Sequence, residues 1–189
     1  MLKDGDDEIR GESIVFDLAA RRVIVRGGTR VAVAPREGQQ RGTALLEGLE
    51  GLGGDGGVTI AADQLEAWET PEGRRVAFGG RVGVARDDVV LEAGHIEAFY
   101  PPGATEPSRL VASGEVRVTQ ADREARCQRA EYRRIERLLE CRGDARLRQN
   151  EDRLRGDLIA FDLAAERLVV TGRSRLTLAP REPAAEAAP

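Results

Sequence analysis

The chain is 189 residues long, 41% hydrophobic and 33% charged, with 4% aromatics and a formal net charge of −4. That length holds one domain and room for part of a second. The scarcity of aromatics makes the interior aliphatic and thin, and the negative balance argues against general nucleic-acid binding. No apolar run reaches 18 residues, and Met1-Leu2-Lys3-Asp4-Gly5-Asp6 opens straight into acidic sequence with no signal peptide. On composition alone the chain reads as soluble and cytosolic, while the arrival of a full repeat unit a few residues after Met1 points as readily to a shortened start.

The first element, Asp7 to Glu37 (DEIRGESIVFDLAARRVIVRGGTRVAVAPRE), alternates apolar and polar residues on either side of a short break, which is the period of half-buried strands. It predicts a β-hairpin. The same unit returns at Asp152 to Glu182 (DRLRGDLIAFDLAAERLVVTGRSRLTLAPRE), 145 residues on. In that copy the first arm ends at Phe161-Asp162, Leu163 to Glu166 make the turn, and the second arm runs from Arg167 past Gly172 to Leu178. Setting Asp162 opposite Arg167 places Phe161 against Leu168 and Ile159 against Val170, all on one face because strand side chains alternate. Gly156 and Gly172 fall at nearly the same level of the two arms. Glycine inside a strand marks a bend or bulge, so both arms are predicted to fold over there and give the hairpin a V-shaped cross-section.

Gln39 to Gly57 breaks the pattern and is rich in glycine, which predicts a linker. Within it Leu45, Leu49 and Leu52 have helical spacing, compatible equally with a short helix capping the sheet and with a disordered connector. GLGGDGG at Gly51 to Gly57 lacks the Lys-Ser/Thr and the following helix of a phosphate loop. From Val58 three more hairpins follow in phase. AADQLEAW (Ala61 to Trp68), EAGHIEAF (Glu92 to Phe99) and RCQRAEYR (Arg126 to Arg133) are first arms. Their second arms centre on Gly80, Gly114 and Gly143, and the steps from Gly80 through Gly114 and Gly143 to Gly172 are 34, 29 and 29 residues, the longest containing a Pro101-Pro102-Gly103 loop. The expected division is an extra hairpin unit at 1–37, a linker at 38–57, the main repeat domain at 58–182 and a disordered tail at 183–189.

Aligned on those glycines, apolar residues form columns through the stack, such as Val23, Val76, Leu110, Leu139, Leu168 and Val31, Val84, Val118, Leu147, Leu176, with Arg, Glu, Gln, Asp and Thr between them. One face of every arm is therefore apolar and the other wet. The predicted fold class is all-β, repeated antiparallel hairpins stacked into a long folded sheet, strands about 4.8 Å apart, with an apolar trough inside. The trough is assigned to Ile14, Phe16, Leu65, Val76, Phe78, Val82, Val84, Ile96, Leu110, Val116, Val118, Tyr132, Leu139, Leu147, Ile159, Phe161, Leu168, Val170 and Leu176. The competing reading is that the two halves of the V close on each other and these columns are a dry core.

The phrase A-D-x-L-E-x, a turn, then R-h-h-h-x-G-x-V-x-V is carried by Ala62-Asp63-Gln64-Leu65-Glu66 with Arg75 to Val84, by Val111 to Gln120, by Ala130-Glu131-Tyr132 and by Asp157 to Asp162. In several copies at about 30-residue intervals, it resembles the OstA-like family of periplasmic lipopolysaccharide-transport domains (LptA, LptC and the LptD amino-terminal domain). The resemblance implies a V-shaped β-jellyroll that holds lipopolysaccharide acyl chains without enzymatic activity, metal or cofactor. It further implies a periplasmic location and end-to-end pairing of edge strands with LptC-like or LptD-like domains or with itself. An LptC-like or LptD-like role, or a structural β-repeat module with a dry core, are the alternatives. The sequence departs from the family in lacking an export signal and in beginning with a spare hairpin and Gly-rich linker. That hairpin is either a fragment of a preceding domain or a cap on one sheet edge.

Catalytic chemistry finds little support. His95, the only histidine, neighbours inward Ile96 and so points outward with no Ser or Cys partner. One histidine gives no zinc spacing. Cys127 and Cys141 invite a disulfide in an exported protein, but straight alternation puts Ala130 opposite Cys141 and leaves Cys127 on the other face, so no bridge is expected unless a bulge shifts it. The acidic residues fall at outward positions and are read as a solvated face.

Overall fold

The computed structural model describes residues 2–4, 7–33, 57–104, 107–165 and 167–179. Their strands are β1 (Leu2–Asp4), β2 (Asp7–Arg10), β3 (Ser13–Asp17), β4 (Arg22–Val33), β5 (Val58–Thr70), β6 (Gly73–Arg86), β7 (Val89–Tyr100), β8 (Arg109–Gln120), β9 (Arg123–Arg133), β10 (Leu138–Gln149), β11 (Asp152–Asp162), β12 (Arg167–Thr171) and β13 (Arg175–Thr177). All belong to one sheet, in the order β1-β2-β4-β5-β6-β7-β8-β9-β10-β11-β12, with β3 on β4 and β13 on β11. Every pairing is antiparallel. The outermost arms are each split in two, β2 and β3 against β4 at one end and β12 and β13 against β11 at the other. The spare amino-terminal hairpin is continuous with the rest, since β4 pairs with β5 from Arg22–Trp68 to Val33–Val58. Most of the expected linker and the tail beyond residue 179 lie outside the described residues, and with them the reading of Leu45, Leu49, Leu52 and of the GLGGDGG run.

The predicted register of the last hairpin holds: Asp162 pairs with Arg167, Phe161 with Leu168 and Ile159 with Val170. So does the predicted bend. Each long pairing changes register at one level, for example between Gly79 and Val82 and between Ser113 and Val116. There the second arms carry two successive left-handed residues, as at Gly80 (φ 68°) and Arg81 (φ 42°). Only glycine takes the first of these without strain. The space demands it too, because a Cβ on Gly80 would sit 2.5 Å from the Asp63 carboxylate, whose other oxygen accepts a hydrogen bond from Arg81 Nη2 at 3.1 Å. Gly172 repeats the arrangement with Asp157, which accepts from the backbone N–H of Arg173. Stacked, these corners form one crease separating a first wing (β3, β12 and the turn-70–73 ends) from a second (β1, β2, β13).

A single sheet with one face buried has to be covered by itself. Val76 and Phe78 from the first wing and Val82 and Val84 from the second share one hydrophobic cluster, so the wings pack against each other across the V. The sheet does not close into a barrel, since its path ends on β1 and β12.

The outer face of the first wing is more ordered than a solvated surface. Cross-strand pairing lines up Glu66, Ala77, Glu97, Val111, Glu131 and Glu140 in one row. Arginines on both sides close over it: Arg22 to Glu66 at 2.7 Å, Arg133 and Arg142 to Glu140 at 3.0 Å, Arg109 and Arg129 to Glu131 at 3.8 and 3.7 Å. Arg75 lies over Trp68 and Phe99, and Arg109 over Phe99. Ala77, Val111 and Glu140 end up buried, which corrects the expectation that the outward acids are simply solvated. Replacing Glu140 with alanine is expected to cost about 1–2 kcal/mol in chemical denaturation, because Arg142 loses its acceptor and Arg133 keeps only Glu136, both remaining partly hydrated.

The two cysteines also correct the sequence reading: Cys127 and Cys141 form a disulfide with Cα atoms 5.8 Å apart. The reason is the corner. In β9 the pairs Arg129–Ser113 and Cys127–Val116 lie on opposite sides of a register shift, so alternation reverses between them and Cys127 joins Ala130 on the inner face.

Candidate functional site

The inner face mixes small and bulky residues on both kinds of strand. First arms contribute Ala62, Ala67, Ala93 and Ala98 together with Ile60, Leu65 and Ile96, and second arms contribute Val76, Phe78, Val82, Val84, Leu110 and Val116 together with Ala112. Some pairs set small against large, as Ala67–Val76, Val82–Ala93 and Ala98–Leu110, and others large against large, as Leu65–Phe78 and Phe78–Ile96. The burial of both kinds is that of a close-packed interior.

The residues assigned to the trough divide by position along the sheet. Leu65, Val76, Phe78, Val82, Val84, Ile96, Leu110, Val116 and Ile159 are buried, none more than 8% exposed. Ile14, Val118, Tyr132, Leu147 and Val170 are partly buried against that cluster, and Phe161 is half-buried. Toward the ends the same columns come into the open: Phe16 is 55% exposed at one end, and Leu139, Leu168 and Leu176 are 39, 38 and 60% exposed at the other. The register keeps these on the inner face, Phe16 opposite Val23, Leu139 opposite Phe161, Phe161 opposite Leu168 and Leu176 opposite Leu154. The middle of the slot is thus a dry core and its ends are uncovered apolar surface. The sequence reading missed the small lining residues Ala67, Ala93 and Ala98 and the buried Arg86. The signal for Ala67 and Ala98 was present in the first-arm motif, where they alternate with Leu65 and Ile96, while Ala93 lies across the corner, three residues before Ile96.

A second concavity, about 870 Å³, runs along the polar side of the crease and is lined by residues including Arg81, Glu92, Glu115, Arg117, Arg126 and Arg146. Most of its charges are already matched: Arg81 with Asp63, Arg117 with Glu92 and Glu124, Arg126 with Glu124, Arg146 with Asp144. The hydrogen bond from Arg126, joined by that from Arg117, holds the Glu124 carboxyl below the usual carboxylate range against some desolvation. Arg146, with Arg155, does the same for Asp144. Both titrations followed by NMR are expected to fall below the ordinary values of about 4.3 and 3.9. Because the folded pKa values are depressed, the stability these groups add is complete above the unfolded values and disappears as pH falls through the folded ones.

His95 faces outward beside Glu97, with Nε2 3.6 Å from its carboxylate. Among the described residues no group of His, Cys, Asp and Glu is placed to hold a metal ion, and no helix is long and apolar enough to cross a membrane.

One antiparallel sheet creased along a line of glycines, charged outside and apolar inside, defines a class of all-β protein folded over on its own apolar face. The family described as LptA/(LptD N-terminal domain) LPS transport protein matches residues 59–167, and the chain belongs to that family. The matched segment begins in β5 and ends in β12. Among solved structures the chain is similar to LptH of Pseudomonas aeruginosa, "the LptA homologous periplasmic component of the conserved lipopolysaccharide transport device", with 11% identity, a TM-score of 0.36, and 92% of this chain and 95% of that one covered. No curated protein matches the chain.

Proposed function

We propose that this protein is a periplasmic lipopolysaccharide-transport component that shields acyl chains in its slot, without enzymatic activity. The observation that carries the reading is the continuation of the apolar columns past the packed middle into uncovered Leu139, Leu168 and Leu176. Transferring each CH₂ of a lipid chain out of water onto such a surface contributes about 0.8 kcal/mol, so a few chains are held without polar recognition. Chains lodge first at this end, and deeper entry needs the wings to part. The described strands of the amino-terminal unit, β2 to β4, form one end of the sheet and line that end of the slot, and β5 to β13 line the rest. Edge strands β3 and β12, each paired on one side only among the described residues, suit strand addition by another OstA-like domain, whether LptC-like, LptD-like or a second copy.

The test is uptake of a fluorescent amphiphile by the purified protein. Leu139→Asp and Leu168→Asp are expected to reduce uptake severalfold, and Arg153→Asp on the outer face to leave it unchanged. Equal effects overturn the reading. No uptake by the unsubstituted protein favours the structural β-repeat module with a dry core, which the burial of Leu65 and Phe78 supports.

A further inference from the structure

We propose that the Cys127–Cys141 disulfide is a redox-sensitive clamp that sets how far the two wings open at the carboxy-terminal end of the slot. The inference rests on the reading of the slot as a lipid site. It starts from where the bridge sits. Cys141 lies on the first wing, opposite Ala130 of β9 and Ile159 of β11. Cys127 lies beyond the corner on the second wing, opposite Val116 of β8. The bond therefore spans the crease on its inner side, tying one wall of the slot to the other between neighbouring strands rather than reinforcing a ladder within one wall.

It also stands at a boundary. On its amino-terminal side the flanking inward residues Ala112 and Val116 are buried in the packed middle. On the other side Ala145 and Ile159 beside the bridge are still buried and Leu154 and Val170 pack against the same cluster, but farther out Leu139, Leu168 and Leu176 are uncovered. In the packed part the wings are held by close packing. That packing thins across β11 and β12, and the disulfide is the covalent cross-link nearest to the open end. Hairpins with Ala93 and Ala112, or Ala62 and Phe78, at the corresponding positions keep the fold without a bridge, so the bond is not needed to build the corner.

Opening the clamp is a two-electron reduction. A thiolate of a dithiol attacks one sulfur, Cys141 being the less buried of the two. The mixed disulfide is displaced by the second thiol, leaving Cys127 and Cys141 as thiols and the reductant as its disulfide. An oxidising compartment keeps the clamp shut.

The experiment compares the oxidised full chain, the chain reduced with dithiothreitol, and the Cys127→Ala/Cys141→Ala double variant, by N-phenyl-1-naphthylamine fluorescence and by hydrogen–deuterium exchange. The expected result is amide exchange on the order of tenfold faster in β10 to β13 with unchanged protection in β5 to β7, and greater probe uptake in both unbridged forms. Equal exchange in all three forms, or acceleration throughout the sheet, overturns the clamp. Faster exchange confined to β10 to β13 with no uptake by any form upholds the clamp and sinks the lipid reading instead.

Discussion

Replacing Phe78 with alanine is expected to lower the unfolding free energy by about 3–5 kcal/mol, the range for emptying a large aromatic site in a packed interior. Phe78 is 2% exposed, lies between Leu65 and Ile96 in the adjacent strands, and is followed by the Gly80 corner, so relaxation is blocked on three sides. Its neighbours in the column are fixed by ladder pairing and cannot slide inward without breaking backbone hydrogen bonds. The measurement is urea denaturation followed by circular dichroism, with Phe16→Ala as the matched control. Phe16 belongs to the same inner face but is 55% exposed at the sheet's end, so its loss is expected to cost about 1 kcal/mol or less. Similar losses at both positions would mean that the middle of the slot is not the packed region.

Removing the disulfide through the double alanine variant is expected to cost about 3 kcal/mol, the chain-entropy value for a loop of this size, the cysteines being 14 residues apart. Alanine occupies equivalent inner positions at Ala93 and Ala112, so the native state loses little packing and the effect falls mainly on the unfolded chain. Denaturation should then show a lower midpoint together with a somewhat larger m value, as the freed unfolded state exposes more surface. A large loss of stability with an unchanged m value would place the cost in the folded state.

Much of this fold was legible because it repeats. One strong copy, Asp152 to Glu182, supplied the Asp162–Arg167 register, and the glycine spacing carried it to the weaker copies. The second arms announce their corners with a glycine, and the columns Val23 to Leu168 and Val31 to Leu176 follow from that mark. First arms carry no such mark. Inward positions step by three there, Ala62 to Leu65, Ala93 to Ile96, Cys127 to Ala130 and Gly156 to Ile159, and an alternation counted straight through the corner puts Cys127 on the wrong face. The burial of Glu140 was hidden for another reason, since it depends on Arg133 and Arg142 reaching it from either side. Whether the wings meet was equally hidden. It depends on whether residues of the two wings, such as Phe78 and Val84, end in one buried cluster, a matter of volume across the V rather than of pattern along the chain.

The three-residue step at each first-arm corner makes the chain intolerant of small changes in length. Loss of one residue between Ala62 and Leu65 would invert half a strand, turning its oily side to water, while loss of an entire hairpin would leave the strands on either side meeting in the same phase. Length in this architecture is counted in whole hairpins, so longer and shorter versions are reached by duplication and deletion of complete units, as the similar first and last hairpins already suggest.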